Sequence, residues 1–241
     1  MEEAGHIVLD GASNVRDLGW VLGTRPPRAA RVLRSANLDR LSQEGRRRFG
    51  ELGIAVVIDL RGKAEAADAP ELEGTTRVHL PIEPTVVAEL VAQRAAGGLS
   101  VASAMRVMER TYREYVVDHM AVFAALLHHV LSASHQSVLF HCAAGKDRTG
   151  VAAALVLTAV GARPATIMQD YLLSNRFFHP APRADDVVPS EIRQAITKVQ
   201  PSYLESAFAA MTEGWGGADG YLENALGIGP RERAALRVAI A

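Results

Sequence analysis

The sequence predicts an α/β fold, with a central, mostly parallel sheet flanked by helices. Apolar runs at 54–60 and 137–141 have the length and character of strands buried on both faces. Ser137-Val138-Leu139-Phe140 passes through a glycine-containing loop into Val151-Ala152-Ala153-Ala154-Leu155-Val156-Leu157, which reads as strand, loop and packed helix. Between the strands lie long stretches of helical periodicity.

In chain order, the first expected strand is Ile7-Val8-Leu9. A Pro-rich turn at Arg25-Pro26-Pro27 separates it from a second, Arg31-Val32-Leu33. Ser42 starts a helix over 42–51, and Gly53 stops it. The third strand is 54–60, followed by a loop from Pro70 to Gly74. Arg77-Val78-His79-Leu80 is the fourth strand and ends at Pro81 to Pro84. Gly97-Gly98 divides a small helix at 85–96 from one long or two joined helices at 100–131. In the latter Val101, Met105, Met108, Tyr112, Tyr115, Val116, Phe123 and Leu127 recur at helical spacing. The 112–130 half reads as core, with His128 and His129 near the helix end as capping residues. After the fifth strand at 137–141 and the helix from 151, Pro164 opens a helix at 165–176. A polar loop then runs through Pro189. Helices at 190–212 and 230–240 close the chain, with a turn at Gly214-Trp215-Gly216-Gly217 between them. Arg46-Arg47-Arg48 reads as a solvated helix face.

The 241 residues suffice for one sizeable domain or two small ones. A formal net charge of −1 provides no global field for nucleic acid or anionic membrane, so any attraction to anions is local. No apolar stretch reaches the roughly 18 residues of a membrane helix, and the N-terminus lacks the apolar core of a signal peptide. The expected compartment is the cytoplasm, with unconventional secretion left open. No nucleic-acid partner and no integral membrane contact are expected.

The segment His141-Cys142-Ala143-Ala144-Gly145-Lys146-Asp147-Arg148-Thr149-Gly150 carries the single cysteine. A loop between strand and helix aims backbone N–H groups at one anion. Lys146, Arg148, the positive end of the helix and the Thr149 hydroxyl all favour a thiolate, and the same groups favour a phosphate dianion. Arg148 can grip two phosphate oxygens, which a lysine cannot. Cys142 then lies in line with the leaving oxygen as nucleophile. The competing reading of a lone cysteine is a small buried hydrophobe. Metal binding is disfavoured because there is no second cysteine and His141 and Cys142 are strand neighbours whose side chains point apart. No metal and no cofactor are expected.

This loop resembles the signature loop of the cysteine-dependent tyrosine phosphatase superfamily. Its Lys-Asp pair resembles the branch of bacterial atypical tyrosine and lipid phosphatases known as tyrosine phosphatase family 3. Five further stretches match that branch: Asn14-Val15-Arg16-Asp17-Leu18-Gly19, Arg34-Ser35-Ala36-Asn37-Leu38, Val57-Ile58-Asp59-Leu60-Arg61, Asp170–Arg176 and Gly220–Gly227. The resemblance implies a protein tyrosine phosphatase-like fold and a single phosphatase domain over 1–241. It also implies a helical insertion at 85–115 that can cover the site as a lid.

Ester cleavage requires a proton for the leaving oxygen and a base for the later water. Asp147 stands inside the loop. Asp59 ends a strand and, with Arg61, is expected to open onto the same cleft. No Trp-Pro-Asp tripeptide, the acid loop of more familiar relatives, occurs here. The resemblance supports Asp147 as acid and keeps Asp59 as a second candidate; the competing readings are a loop-closing ion pair and a strand-end residue. Lys146, one of three lysines, either adds a cation for a second substrate phosphate or simply raises anion affinity. Phosphate contacts are expected from His141, Ala143, Ala144, Gly145, Lys146, Thr149 and Arg61. Arg34 is expected to pair with Asp17. The resemblance implies hydrolysis of phosphotyrosine proteins or peptides, releasing inorganic phosphate, with phosphoinositide and phosphoserine or phosphothreonine activity in reach. The alternatives are a non-catalytic phosphate-binding module and a rhodanese-type sulfurtransferase.

Overall fold

The computed structural model describes residues 5–23, 32–83, 85–133, 136–179 and 189–240. The turn expected at 25–27, Arg31, Pro84 and most of the polar loop before Pro189 lie outside the described residues. Among the described residues five strands run β1 (Arg16–Asp17), β2 (Val32–Ser35), β3 (Ile54–Asp59), β4 (Thr76–His79) and β5 (Ser137–His141). They form one sheet in the order β1-β2-β5-β3-β4. Only β1 is antiparallel; β2, β5, β3 and β4 pair in parallel.

The helices begin with α1 (Leu18–Val21), α2 (Gln43–Glu51), α3 (Val86–Ala95), α4 (Val101–Asp118) and α5 (Met120–Ser132). After β5 come α6 (Arg148–Ala159), α7 (Pro164–Leu172), α8 (Ser174–Phe177), α9 (Ser190–Thr197) and α10 (Pro201–Trp215). A short α11 (Ala218–Gly220), a π-helical turn (Tyr221–Ala225) and α12 (Pro230–Ile240) complete the chain.

Side-chain alternation splits β5 between two cores. Val138 and Phe140 pack with α4, α5, α6 and α10, while Leu139 packs with Leu33, Val57 and Phe49 on the α2 face. Central β5 is therefore buried at every position, as its unbroken apolar run requires. No single helix among the described residues is long and apolar enough to cross a membrane.

Two strand expectations change. Ile7-Val8-Leu9 alternates as a strand should, with Ile7 and Leu9 buried and Val8 exposed. Gly11 turns the chain back at φ +87°, leaving only the isolated bridges His6–Arg16 and Leu9–Ala12. The edge strand is instead Arg16–Asp17, in a segment rich in turn-forming residues. Ser42 caps α2 by accepting from the Gly45 N–H, as expected. The 100–131 region divides at His119 into two helices bent by 67°. The expected 165–176 helix breaks at Leu173, and the expected 190–212 helix breaks before Pro201, which starts α10. Gly216, with φ +74°, terminates α10 in the left-handed conformation.

Candidate active site

Cys142 follows the last residue of the central strand, so its loop opens at the carboxyl end of a parallel sheet, between β2 and β3. Gly145 has φ +65°, and a Cβ there would lie 2.4 Å from Ala36 N and the Ser35 carbonyl group. Only glycine allows the loop to pack directly on the end of β2. Ala143 and Ala144 form the half-buried rim, while Cys142, Lys146 and Arg148 are 2%, 6% and 7% exposed. The first N–H groups of α6 have no carbonyl one turn earlier to bind and face the loop. The Thr149 hydroxyl is buried without a hydrogen-bond partner among the described residues, which suits a donor held for an anion or thiolate.

A buried network supports the loop from below. Arg34 Nη2 and Asn14 Nδ2 both donate to the Gly145 carbonyl, at 2.8 and 2.7 Å. Arg16 and Arg34 share the carboxylate of Asp170 at 3.1 and 2.6 Å. Arg16 also donates to Asn14 Oδ1, holding that residue at φ +58°. Both arginines are fully buried, so two cations face one carboxylate beneath the anion loop. Burial and then the neighbouring Arg34 lower Arg16 to about 10, leaving it charged at neutral pH. Although burial opposes ionisation of Asp170, the two guanidiniums hold its carboxyl below the usual range. Arg34 thus pairs with Asp170 and not with Asp17, whose carboxylate instead caps α1 at the Gly19 N–H. The expectation failed because Asp170 is distant in sequence and reaches β2 only after α6 and α7 pack.

Arg148 projects toward the β3–β4 side. Its Nη1 and Nη2 donate to Glu65 Oε2 and Oε1 at 2.6 and 3.0 Å, and Nη1 also reaches the Ile82 carbonyl at 2.9 Å. Burial disfavours its charge, but Cys142 and Glu65 outweigh that and hold the guanidinium more basic than usual. Nε makes none of these bonds, so the Nε–Nη2 edge retains the fork that fits two phosphate oxygens.

Asp59 and Arg61 are placed otherwise than expected. Asp59 is completely buried. It accepts from the Arg61 backbone N–H, Nε and Nη2 at 3.0, 3.0 and 2.9 Å, and from Arg77 Nη2 at 2.8 Å. Burial opposes its ionisation, but the Arg61 and Arg77 bonds prevail and hold the carboxyl far below the usual range. Asp59 is thus held as an arginine-paired strand-end residue, the competing reading of this position. Arg61 completes its shell with Asp39 at 2.5 Å, which commits its guanidinium to carboxylates rather than phosphate. His141 lies across from Asp59 in the sheet register. It is buried, and burial pushes its imidazole below the ordinary value. Its Nδ1 is 3.2 Å from the Cys142 carbonyl.

Above the loop, Asp147 is engaged from two sides. Tyr112 OH of α4 donates to Oδ1 at 2.7 Å, and Lys146 Nζ reaches both carboxylate oxygens, Oδ1 at 3.1 Å and Oδ2 at 2.9 Å. Lys146 also donates to the Ile196 carbonyl at 2.9 Å, at the carboxyl-terminal end of α9, where a helix dipole favours a cation. In turn α9 packs through Ile192 and Ala195 on Leu90 of α3 and Ala104 and Val107 of α4.

Glu65 escaped the sequence reading, while Asp170 and Tyr171 entered it only within a matching stretch and Tyr112 only as core, none with a role at the site. Glu65 lies four residues beyond Arg61 with no pattern around it. Tyr112 follows the apolar spacing of α4 and is indeed core by burial, so its hydroxyl contact had no separate signal.

The model of a family described as the tyrosine phosphatase family matches residues 7–241. A protein of Cupriavidus necator, provisionally named a tyrosine-protein phosphatase, is 32% identical over 92% of this chain and 84% of its own. The triple specificity protein phosphatase PtpB of Mycobacterium tuberculosis is 31% identical over 90% of this chain and 92% of its own. A tyrosine-protein phosphatase of Nostoc commune is 26% identical over 99% of this chain and 83% of its own.

Proposed function

The chain belongs to the tyrosine phosphatase family and is a phosphatase, and from that premise we propose a two-step reaction through a phosphocysteine. Cys142 Sγ attacks phosphorus, the bond from phosphorus to the leaving oxygen breaks, and the Asp147 proton passes to that oxygen. Water then attacks phosphorus and gives a proton to Asp147, and the S–P bond breaks. Thiolate and inorganic phosphate are released. The equatorial oxygens meet the N–H groups of the loop from Ala143 to Thr149 and the Nε–Nη2 edge of Arg148, an electrostatic cradle already formed before substrate arrives. The observation that carries this reading is the strand–loop–helix segment that buries Cys142 and Arg148 at the amino end of α6, with the Thr149 hydroxyl lacking a partner among the described residues.

Phosphotyrosine in proteins or peptides is the proposed main substrate, with phosphoinositides and phosphoserine or phosphothreonine as further ones. Support for breadth comes from Lys146, whose ammonium can leave the Ile196 carbonyl for a second phosphate, and from the name of the mycobacterial relative. Because Cys142 is only 2% exposed and Lys146 ties its loop to α9, α9 acts as a roof that moves aside for substrate.

A panel of phosphotyrosine peptides, phosphoserine peptides and phosphoinositides, tested on one preparation, measures the breadth. In the same assay Cys142→Ser should abolish turnover and retain phosphate binding; residual turnover near wild type would remove Cys142 as nucleophile. Arg148→Lys should lower kcat/KM by about 10²–10⁴, through loss of the two-point grip.

A further inference from the structure

Asp147 occupies the N-cap position of α6, yet its side chain makes no capping bond to that helix. Aspartate at this position ordinarily accepts from the N–H groups of the first turn. Here the carboxylate is drawn away by a chain of two buried hydroxyls. Tyr171 OH donates to Tyr112 OH at 2.8 Å, and Tyr112 OH donates to Asp147 Oδ1 at 2.7 Å. Both tyrosines are essentially unexposed, at 1% and 0%. Their direction is dictated by valence. An ionised carboxylate only accepts, so the single proton of Tyr112 points at Asp147 and that of Tyr171 points at Tyr112. Ring contacts fix the geometry: the Tyr112 centroid lies 5.6 Å from Tyr115, 6.1 Å from Tyr171 and 5.8 Å from Tyr203.

We propose that Tyr112, oriented by Tyr171, is the positioning residue of the general acid, holding Asp147 off the α6 cap so that Oδ2 carries the proton and the first N–H groups of α6 stay open to phosphate. The inference rests on Asp147 being the acid. Lys146 reaches both oxygens, so when it turns to substrate Oδ1 keeps only its bond to Tyr112, in both protonation states, and Oδ2 is left open for the proton. Burial raises the Tyr112 hydroxyl well above its ordinary pKa, so it remains a donor throughout the working range. Without the hydroxyl, Asp147 can fall back onto the helix terminus, where it would both withdraw the proton and occupy the anion site.

Tyr112→Phe keeps the ring and removes only the hydroxyl. Its rate on an aryl phosphate with a poor leaving group should fall about tenfold or more, with a much smaller loss for a nitrophenyl ester, which departs without a proton. Inhibition by inorganic phosphate should weaken in parallel. Tyr171→Phe should show the same pattern at smaller amplitude, and it serves as the test if Tyr112→Phe fails to fold. Tyr112→Phe added to Asp147→Asn should cost little beyond Asp147→Asn alone. Equal losses on both esters for Asp147→Asn itself would remove the acid assignment. A leaving-group-dependent loss for Asp147→Asn, with wild-type or equal losses on both esters for the tyrosine variants, would overturn the positioning role while leaving the acid in place.

Discussion

Below the catalytic loop, Arg16 and Arg34 grip Asp170 at zero exposure, and Arg34 and Asn14 hold the Gly145 carbonyl. Above it, Tyr112 and Lys146 grip Asp147, whose carboxylate is half-buried, and Lys146 ties the loop to α9 through one carbonyl. Both regions pair cations with a carboxylate, but only the upper one has to be exchanged for substrate. The lower charges, once dehydrated, have no alternative partner, so loss of one strands the others in the interior. The Lys146 contacts above can pass to phosphate oxygens, while Tyr112 keeps its bond to Asp147. Floor residues should therefore be read out in stability and roof residues in kinetics.

The strongest way to break that contrast is Asp170→Asn. Two buried guanidiniums would lose the one carboxylate they share among the described residues, at a cost of about 3–5 kcal/mol, read as a lower urea midpoint. A loss below about 1 kcal/mol would mean the floor tolerates exchange as the roof does.

Titration separates the two regions by sign. Burial holds His141 below its ordinary value, so below pH ~6.5 the unfolded chain takes the proton first and stability falls with falling pH. Below pH ~4 the depressed carboxyls of Asp170 and Asp59 add to this loss. Burial raises Tyr112, Tyr115 and Tyr171, so above pH ~10 the unfolded chain releases protons first and stability falls with rising pH. Each group contributes at most about 1.4 kcal/mol per pH unit. Acid should thus act on the floor through Asp170, and alkali on the roof through Tyr112. Urea midpoints across the pH range check this, and an alkaline limb unchanged in Tyr112→Phe would detach it from the roof.

Lys146→Met tests the roof at a smaller scale. It should leave stability within about 1 kcal/mol, yet raise KM for a substrate with two phosphates by about tenfold, the value of one charge-assisted bond. Equal changes for singly and doubly phosphorylated substrates would limit Lys146 to general anion affinity. Smallest of all is Arg47→Ala, which removes exposed pairs to Glu44 and Glu51 and should leave both the midpoint and the rate unchanged.

The α/β class, the four parallel strands and the chemical loop were legible because each is local. Strand β5, the glycine at 145 and the helix after Arg148 are adjacent in sequence, and their residue types carry their own conformational cost. The first strand was misplaced because Ile7 and Leu9 alternate correctly while Gly11 reverses the chain before a partner is reached. Asp59 was misread for a related reason: a strand-end carboxylate announces its position but not its partners.

By itself the sequence determined the strand, glycine-bearing loop and helix around the single cysteine, the parallel sheet that presents them and the family to which the chain belongs. Only the tertiary structure decided which carboxylates stay as partners of arginine and which one stands over the loop. Asp59 meets Arg61 and Arg77, Asp170 meets Arg16 and Arg34, and Asp147 meets Tyr112. Ionisation and proton donation are set by desolvation and by neighbours within a few ångströms. For Asp170 and Asp147 those neighbours come from segments far away in the chain, which no local pattern encodes.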